Sequence, residues 1–250
     1  MSTRFFLFDF DGVLFQSAYE TAFSAYNAVT GKTITEAADL PPRFVELYLS
    51  HRPCIHPASD ILALAEWALE NAEAAEPTPM DRARLVERLA VHPVPRVERL
   101  NRFFTARERF QAADLNAWLA LHRPFQPLWD ELCAGTFPNF AILTNKNRAA
   151  VFRLCSSHGL SLDPSIVYSG DGGVSKEQNF ERLRAEHGAM RYIFLEDQVE
   201  NLITITTHFP GVITPILATW GYHAPGDMEL AARHDIRSVE LSRVADLLQA

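Results

Sequence analysis

The sequence predicts an α/β protein, in which a doubly wound, Rossmann-like parallel sheet is interrupted by an inserted all-α domain. Three observations support this fold class. Short apolar runs that end in polar residues occur at the start of the chain and throughout its second half. Amphipathic segments alternate with these runs, and two of them end at a glycine. The long stretch between the first run and the others has helical periodicity and no convincing strand.

The apolar runs have the form of strands that are buried on both faces of a parallel sheet. The first covers residues 4–10 (RFFLFDF) and ends in acid. The later runs are residues 140–143, 192–195 and 212–220, with a shorter candidate at 166–168. Polar residues follow most of them, as expected where a strand enters a loop.

Helical patterns lie between these strands and after the last of them. They cover residues 148–158, ended by Gly159, residues 177–187, ended by Gly188, and a last amphipathic stretch at 238–249. Strand, polar turn and helix in repeated order are typical of a doubly wound α/β domain.

The predicted domain organisation follows from this pattern. We expect residues 1–15 and 126–250 to form the α/β core, and residues 16–125 to form a helical insert. Within the insert, residues 71–80 and 92–95 are rich in turn-forming residues and predict loops.

Composition excludes several functional classes. The 250 residues are 48% hydrophobic, enough for a large core, and carry a formal net charge of −8. This charge argues against binding to nucleic acid or to an anionic membrane. The longest stretch without Asp, Glu, Lys or Arg, at 201–226, is broken by prolines and glycines and does not predict a membrane span. The sequence leaves the oligomeric state open.

The cysteines and the first residues of the chain bear on location. Three cysteines without a C-x-x-C pair fit a reducing compartment better than a disulfide framework, and they predict no zinc site. The first residues lack the charged and then apolar pattern of a secretion signal. We therefore expect a cytoplasmic protein.

Asp9 and Asp11 are the first candidate site. If strand geometry persists to Asp11, the two carboxylates lie on one side of the strand at its carboxyl end, where open α/β sheets bind ligands. Two such charges favour a cation between them, and oxygen ligands suit Mg²⁺. The alternative is an Asp-Gly turn whose acids face water.

Three further candidates follow later strands. Thr144 and Asn145 precede a helix, where a hydroxyl and free amides could bind an anion or serve only as a helix cap. Lys176 ends a glycine-rich loop that lacks the nucleotide P-loop pattern, and a lone lysine there could simply be solvated. Glu196 and Asp197 form a second acidic strand end, which could instead cap the next helix.

The ordered set Asp9-x-Asp11-Gly12-Val13, Thr144-Asn145, Lys176 and Glu196-Asp197 resembles the four motifs of the haloacid dehalogenase superfamily of phosphotransferases. The helical insert after the first motif is similar in position to the helical cap of that superfamily. The segments 8–14 and 219–222 resemble its phosphoglycolate phosphatase branch.

The resemblance implies a role for each matched residue. Asp9 would be the nucleophile that forms an aspartyl-phosphate, and Asp11 the general acid and then the general base. Thr144, Asn145 and Lys176 would bind the phosphoryl group. Mg²⁺ would be bound by Asp9, the backbone carbonyl of Asp11, Asp197 and, directly or indirectly, Glu196. The implied activity is a Mg²⁺-dependent phosphatase that acts on a small phosphorylated metabolite.

Departures from the family pattern leave alternatives open. Asn201 stands where the fourth motif usually has a second acid, and Glu200 is one residue early. A phosphomutase of the same superfamily and a catalytically weak phospho-ligand-binding protein therefore remain alternative functions. A haloacid dehalogenase is disfavoured because its branch lacks the acid at the place of Asp11.

Substrate choice would rest on the insert. Arg52 and Arg107 are the candidates for binding a second anionic group of the substrate, although arginines on a helix usually face solvent. Phe103, Phe104 and Phe110 have the spacing of a helix core.

Overall fold

The computed structural model describes residues 4–248, and the side chains of residues 4–244. Over this range the strands are β1 Arg4–Phe8, β2 Phe15–Gln16, β3 Arg123–Pro124, β4 Phe140–Thr144, β5 Val167–Ser169, β6 Arg191–Glu196, β7 Ile213–Ala218 and β8 Arg237–Val239. The α-helices are α1 Ala18–Thr30, α2 Pro42–Ser50, α3 Ile61–Glu70, α4 Arg82–Ala90, α5 Arg96–Ala113, α6 Leu115–Ala120, α7 Gln126–Cys133, α8 Arg148–Ser157, α9 Lys176–His187, α10 Val199–His208 and α11 Asp227–Arg233.

The main sheet has six strands in the order β5–β4–β1–β6–β7–β8, and every pairing in it is parallel. From β1 the chain builds one side of the sheet with β4 and β5, then crosses to the other side to add β6, β7 and β8. Helices α8 to α11 connect these strands in turn. This is the doubly wound α/β fold that the sequence predicts, and β1 lies at the point where the strand order reverses.

The core of the sheet follows from its apolar strands. Phe5 and Leu7 of β1 are buried in one cluster with side chains of α9, α10 and α11. Phe6 and Phe8 point to the other face, as the two-residue period of a strand requires, and both rings pack against Phe137. β1 is thus buried on both faces, which explains its uninterrupted apolar sequence.

The chain divides into two compact units. The first comprises residues up to Gln16 and from Arg123 onward, and the second comprises Ser17–His122. The predicted boundaries, after residue 15 and before residue 126, differ from these by one and three residues. The prediction that residues 16–125 contain no strand is wrong at both ends, because Gln16 pairs with Arg123 in the antiparallel β2–β3 ribbon.

The second unit is helical, with α1 packed against α2, α3 and α5. Glu20 of α1 is fully buried, and the Arg107 guanidinium of α5 donates to both of its carboxylate oxygens, with N–O distances of 2.8 and 2.7 Å. Ser24 and the Trp118 indole donate to the same carboxylate. The hypothesis that Arg107 binds an anionic substrate group is therefore wrong, because Glu20 already neutralises its charge.

Other expectations for the second unit have mixed outcomes. Residues 71–80 and 92–95 are loops, as predicted. Phe103 and Phe110 are core residues, whereas Phe104 is 37% exposed. Arg52 is buried and donates to the Ile55 carbonyl.

The last part of the chain differs from the expected amphipathic helix at 238–249. Ser238 and Val239 extend the sheet as β8, because the buried Val239 pairs with Ala218 at its edge. A 3-10 helix then covers Leu241–Leu248. The predicted end of the helix, Gln249, lies outside the described residues.

No helix within residues 4–248 has both the length and the apolar character needed to cross a membrane. Cys54, Cys133 and Cys155 are free thiols.

Candidate active site

Five side chains named from the sequence meet at the carboxyl ends of β1, β4 and β6. Parallel strands bring their carboxyl ends to one edge of the sheet, and the reversal of strand order at β1 opens a crevice there. Asp9 follows β1, Thr144 ends β4, and Glu196 and Asp197 end and follow β6. Lys176, the first residue of α9, reaches this edge from the helix.

Lys176 bridges the two acidic strand ends. Its Nζ lies 2.8 Å from Asp9 Oδ1 and also donates to Glu196 Oε2. All three residues are buried. The backbone of Lys176 is fixed by the start of its helix, where Ser175 and Gln178 form a capping box. The alternative that Lys176 is a solvated surface residue is therefore excluded.

The carboxyl group of Asp9 is electrostatically unfavourable as an anion. Burial and the neighbouring Glu196 carboxylate raise its pKa to about 7, although Lys176 opposes this shift. Burial alone would lower the pKa of Lys176, but the carboxylates of Asp9 and Glu196 outweigh it and raise that pKa. One ammonium group therefore does not fully compensate the acids around it.

Asp197 is held between two glycines. A Cβ atom on Gly12, whose φ is +95°, would lie 2.1 Å from Asp197 Oδ2, and one on Gly221 would lie 2.2 Å from Asp197 Cβ. The backbone N–H of Tyr222 donates to Asp197 Oδ2 over 2.8 Å. Only glycine fits at both positions. The Asp197 side chain is therefore tightly enclosed and held in one position.

The carboxylates of Asp9, Glu196 and Asp197 can hold a metal ion. One oxygen from each lies within 4.8 Å of the others, and all three residues are buried. Three hard oxygen donors with excess negative charge fit Mg²⁺ better than a soft or nitrogen-preferring metal. The donor set and its charge therefore fit the cation implied by the sequence resemblance.

Asp11 is placed differently from the expectation. Strand β1 ends at Phe8, and strand geometry does not persist to Asp11, because Gly12 turns the chain and its N–H donates to the Phe15 carbonyl. The Asp11 carboxylate is bound by Lys146, whose Nζ lies 2.8 Å from Oδ1 and 3.2 Å from Oδ2. The two aspartates thus have different lysine partners.

Thr144 and Asn145 lie in the turn between β4 and α8. Thr144 is buried, and its Oγ1 accepts a hydrogen bond from the Lys146 N–H. Asn145 is exposed, and its backbone packs so closely on Gly170 that a Cβ there would lie 3.0 Å away. Neither residue caps α8, because Asn147 fills that position and accepts from the Ala150 N–H.

Asn201, at the place where the family has a further acid, lies in α10 with its amide 3.4 Å from Gln198 Oε1. Glu196 has a second hydrogen bond, from the Gln198 N–H. The Asp9, Glu196 and Asp197 cluster therefore forms without an acid at position 201.

Sequence reasoning missed two parts of this site. Lys146 is one of only three lysines in the chain, and that rarity is the signal that could have found it. Gly221 directly follows the apolar run at 212–220. Its role depends on a contact with Asp197 across the sheet edge, for which the sequence has no signal.

No family model and no curated protein matches the chain. Solved structures do match it along almost its whole length. A predicted phosphoglycolate phosphatase from Haemophilus somnus is 15% identical, with a TM-score of 0.58, covering 97% of this chain and 96% of the other. A haloacid dehalogenase-like family hydrolase from Streptococcus pneumoniae is 15% identical, with a TM-score of 0.55, covering 98% of each chain.

A third similar structure, a HAD family hydrolase from Deinococcus radiodurans with bound phosphate and sodium, is 19% identical. Its TM-score is 0.52, and the match covers 98% of this chain and 95% of the other. At these identities the likeness concerns the fold. The chain therefore has the fold of haloacid dehalogenase-like hydrolases, in agreement with the resemblance drawn from its motifs.

Proposed function

We propose that this protein is a Mg²⁺-dependent phosphatase that hydrolyses a small phosphorylated metabolite through an aspartyl-phosphate on Asp9. One observation carries the proposal. Asp9, a buried carboxylate paired with Lys176, shares a cluster with Glu196 and Asp197 at the carboxyl edge of the sheet. This arrangement joins an oxygen nucleophile, a cation and a set of metal ligands at the place where the fold binds ligands.

Asp9, Glu196 and Asp197 would hold Mg²⁺, with the Asp11 carbonyl as the further ligand implied by the resemblance. When bound, the ion supplies positive charge that offsets the carboxylates and the phosphoryl oxygens. Lys176 neutralises part of the same charge from the protein side. Without such compensation, an anionic phosphate would be repelled by the three acids.

In the first step, a carboxylate oxygen of Asp9 forms a bond to phosphorus as the ester P–O bond breaks. Asp11 gives its proton to the leaving oxygen, which departs as an alcohol. Thr144 and Asn145 bind the oxygens of the transferring group through the Thr144 hydroxyl and backbone amides of the turn.

In the second step, a water oxygen bonds to phosphorus and the bond between phosphorus and Asp9 breaks. Asp11, now a carboxylate, takes a proton from that water. Inorganic phosphate leaves, and both aspartates return to their starting forms.

The substrate class follows from the same site. A phosphate monoester fits the proposed binding groups, and the similarity to a predicted phosphoglycolate phosphatase makes phosphoglycolate the first compound to test. The acidic net charge supports a small metabolite rather than a nucleic acid as substrate. Three free cysteines support a location in the reducing cytoplasm.

The proposal is tested by phosphate release from a panel of phosphorylated metabolites and p-nitrophenyl phosphate, with Mg²⁺ or with EDTA. We expect Mg²⁺-dependent release by the wild type and a loss of at least about 1,000-fold in Asp9→Asn. Asp130→Asn, which changes an exposed aspartate of α7, is the matched control and retains full activity. Release that survives in Asp9→Asn, or no release from any compound by folded wild type, contradicts the proposal.

A further inference from the structure

Lys146 has a position that the proposed steps do not explain. It lies two residues after β4, and its side chain is only 1% exposed. Its ammonium contacts both oxygens of the Asp11 carboxylate, at 2.8 and 3.2 Å. Burial of an ammonium group costs free energy unless a charged partner compensates it. The contact with Asp11 therefore accounts for the burial of Lys146.

The backbone around Asp11 and its carboxylate are held by different contacts. The loop around it is held by main-chain hydrogen bonds, such as those from the Gly12 and Phe15 N–H groups. These bonds position the Cα atom, whereas contacts of the side chain, which is 28% exposed, set its torsions. Contact of one ammonium with both oxygens restricts those torsions.

Lys146 is itself held on the turn that contains Thr144. Its backbone N–H donates to Thr144 Oγ1 over 3.1 Å, and its Nζ lies 5.7 Å from the centre of the Phe10 ring. The ammonium is therefore fixed relative to the end of β4, and through it Asp11 is fixed relative to Thr144.

We propose that Lys146 is a positioning residue that orients the Asp11 carboxyl group for proton transfer. This inference rests on the proposed function, in which Asp11 gives a proton to the leaving oxygen. Lys146 acts through its contact with Asp11 and has no bond-making role of its own. It keeps the Asp11 carboxyl group in one orientation, so that its proton is directed at the leaving oxygen.

The role predicts a dependence on the leaving group. An alkyl phosphate releases a strongly basic alkoxide and needs a proton donor, whereas p-nitrophenyl phosphate releases a weakly basic phenolate and needs little help. The specificity constant kcat/KM reports the steps up to the first irreversible one, departure of the leaving group, and excludes the later hydrolysis of the aspartyl-phosphate. Loss of correct orientation at Asp11 should therefore lower kcat/KM for the alkyl phosphate selectively.

The experiment compares kcat/KM of wild type and Lys146→Met for an alkyl phosphate from the panel and for p-nitrophenyl phosphate. We expect a loss of about 100-fold for the alkyl phosphate and of less than about 5-fold for the aryl phosphate. Lys32→Met, which removes an exposed lysine of the second unit, controls for the loss of one positive charge and leaves both values unchanged. Lys146→Arg keeps the charge and should restore most of the alkyl activity.

A double-mutant cycle adds a second readout. In an Asp11→Asn background, Lys146→Met should cause no further loss for the alkyl phosphate, because the group that it positions is gone. If Lys146→Met does not fold, Lys146→Gln is used for the same ratio and the same cycle.

Equal losses for both substrates, no loss for either, or a full additional loss in the Asp11→Asn background would overturn the inference while the phosphatase proposal stands. If folded wild type releases phosphate from no compound, the proposed function fails and this inference fails with it.

Discussion

At the scale of single residues, the role proposed for Asp9 conflicts with the environment of its carboxyl group. It must be an anion to act as a nucleophile, yet burial and Glu196 raise its pKa to about 7. In the unfolded chain the same group has its ordinary pKa of 3.8. Between these values the folded protein binds more protons than the unfolded protein, so this group makes stability fall as the pH rises from about 4 to 7. A cation bound by the cluster would remove this cost.

We therefore expect Mg²⁺ to stabilise the protein more at about pH 8 than at about pH 5.5, because Mg²⁺ competes with the Asp9 proton at the lower pH. The measurement is the thermal unfolding midpoint with Mg²⁺ and with EDTA at both pH values. Asp9→Asn has no proton to lose at this position, so its Mg²⁺-induced shift should be smaller and less dependent on pH. The same Mg²⁺-induced shift at both pH values in the wild type would contradict this account.

Single residues also show which parts of the site can be predicted from the sequence and which cannot. Asp9, Lys176, Glu196 and Asp197 could be named from the sequence because each lies next to the end of an apolar strand or the start of a helix. The contact between Lys146 and Asp11 joins residues 135 positions apart. No local pattern encodes such a pair, so it required the structure.

At the scale of elements, the loops after β1 and β7 enclose the Asp197 side chain through Gly12 and Gly221. A methyl group on Gly221 would lie 2.2 Å from Asp197 Cβ and 2.7 Å from the Gly12 carbonyl oxygen. Both distances are far below van der Waals contact, so Asp197 or the Gly12 loop would have to move.

We expect Gly221→Ala to raise the Mg²⁺ concentration needed for half-maximal activity by about 10-fold or more, because a displaced ligand binds the ion less well. A Mg²⁺ titration of phosphate release measures this effect. Gly211→Ala is the control, since its φ of +71° costs backbone strain but no atom lies within 4 Å of the added methyl group. An unchanged Mg²⁺ requirement in Gly221→Ala would show that the enclosure of Asp197 is not needed.

Helices α1 and α5 of the second unit are joined by the buried pair Glu20–Arg107. The Glu20 side chain is fully buried and that of Arg107 is 11% exposed. Removal of one partner from a buried pair leaves the other charge uncompensated, which typically costs about 3–5 kcal/mol. The pair therefore determines how these two helices pack. In the sequence, Arg107 is a candidate for substrate binding, because its partner Glu20 lies far away in the chain.

Glu20→Gln should lower the free energy of unfolding by about 3–5 kcal/mol in urea denaturation. Glu98→Gln breaks the ion pair with Arg102, in which both side chains are 50% exposed, and should cost less than about 1 kcal/mol. Similar losses in the two variants would mean that the buried pair does not contribute more than a surface pair.

Elements can be predicted in detail where hydrophobic periodicity is strong and less so where tertiary contacts decide. Residues 199–208 are rich in β-branched side chains and give no clear helix signal, yet they form α10. One face of α10 is buried, at Val199, Leu202 and Ile205, which lie three residues apart. The burial of this face outweighs the low helix propensity of the β-branched residues.

At the scale of the whole molecule, the sequence was sufficient for the fold class. Recurrent buried strands with intervening helices leave few arrangements other than a doubly wound parallel sheet. The order of the strands brings the carboxyl ends of β1, β4 and β6 together, which explains why residues 9, 144 and 196 meet although they are far apart in the chain. The exact ends of the inserted unit could not be read from the sequence, because the β2–β3 ribbon consists of two-residue strands with little periodicity of their own.

The most direct test of the central claim is to identify the residue that carries the phosphoryl group during turnover. Wild type is mixed with a substrate from the panel and Mg²⁺, quenched in acid within the first turnover and digested for mass spectrometry. The account predicts the added mass of one phosphoryl group on Asp9, absent when substrate is omitted and absent in Asp9→Asn. A phosphoryl group on another residue, or turnover of the same substrate without any phosphorylated protein, would contradict it.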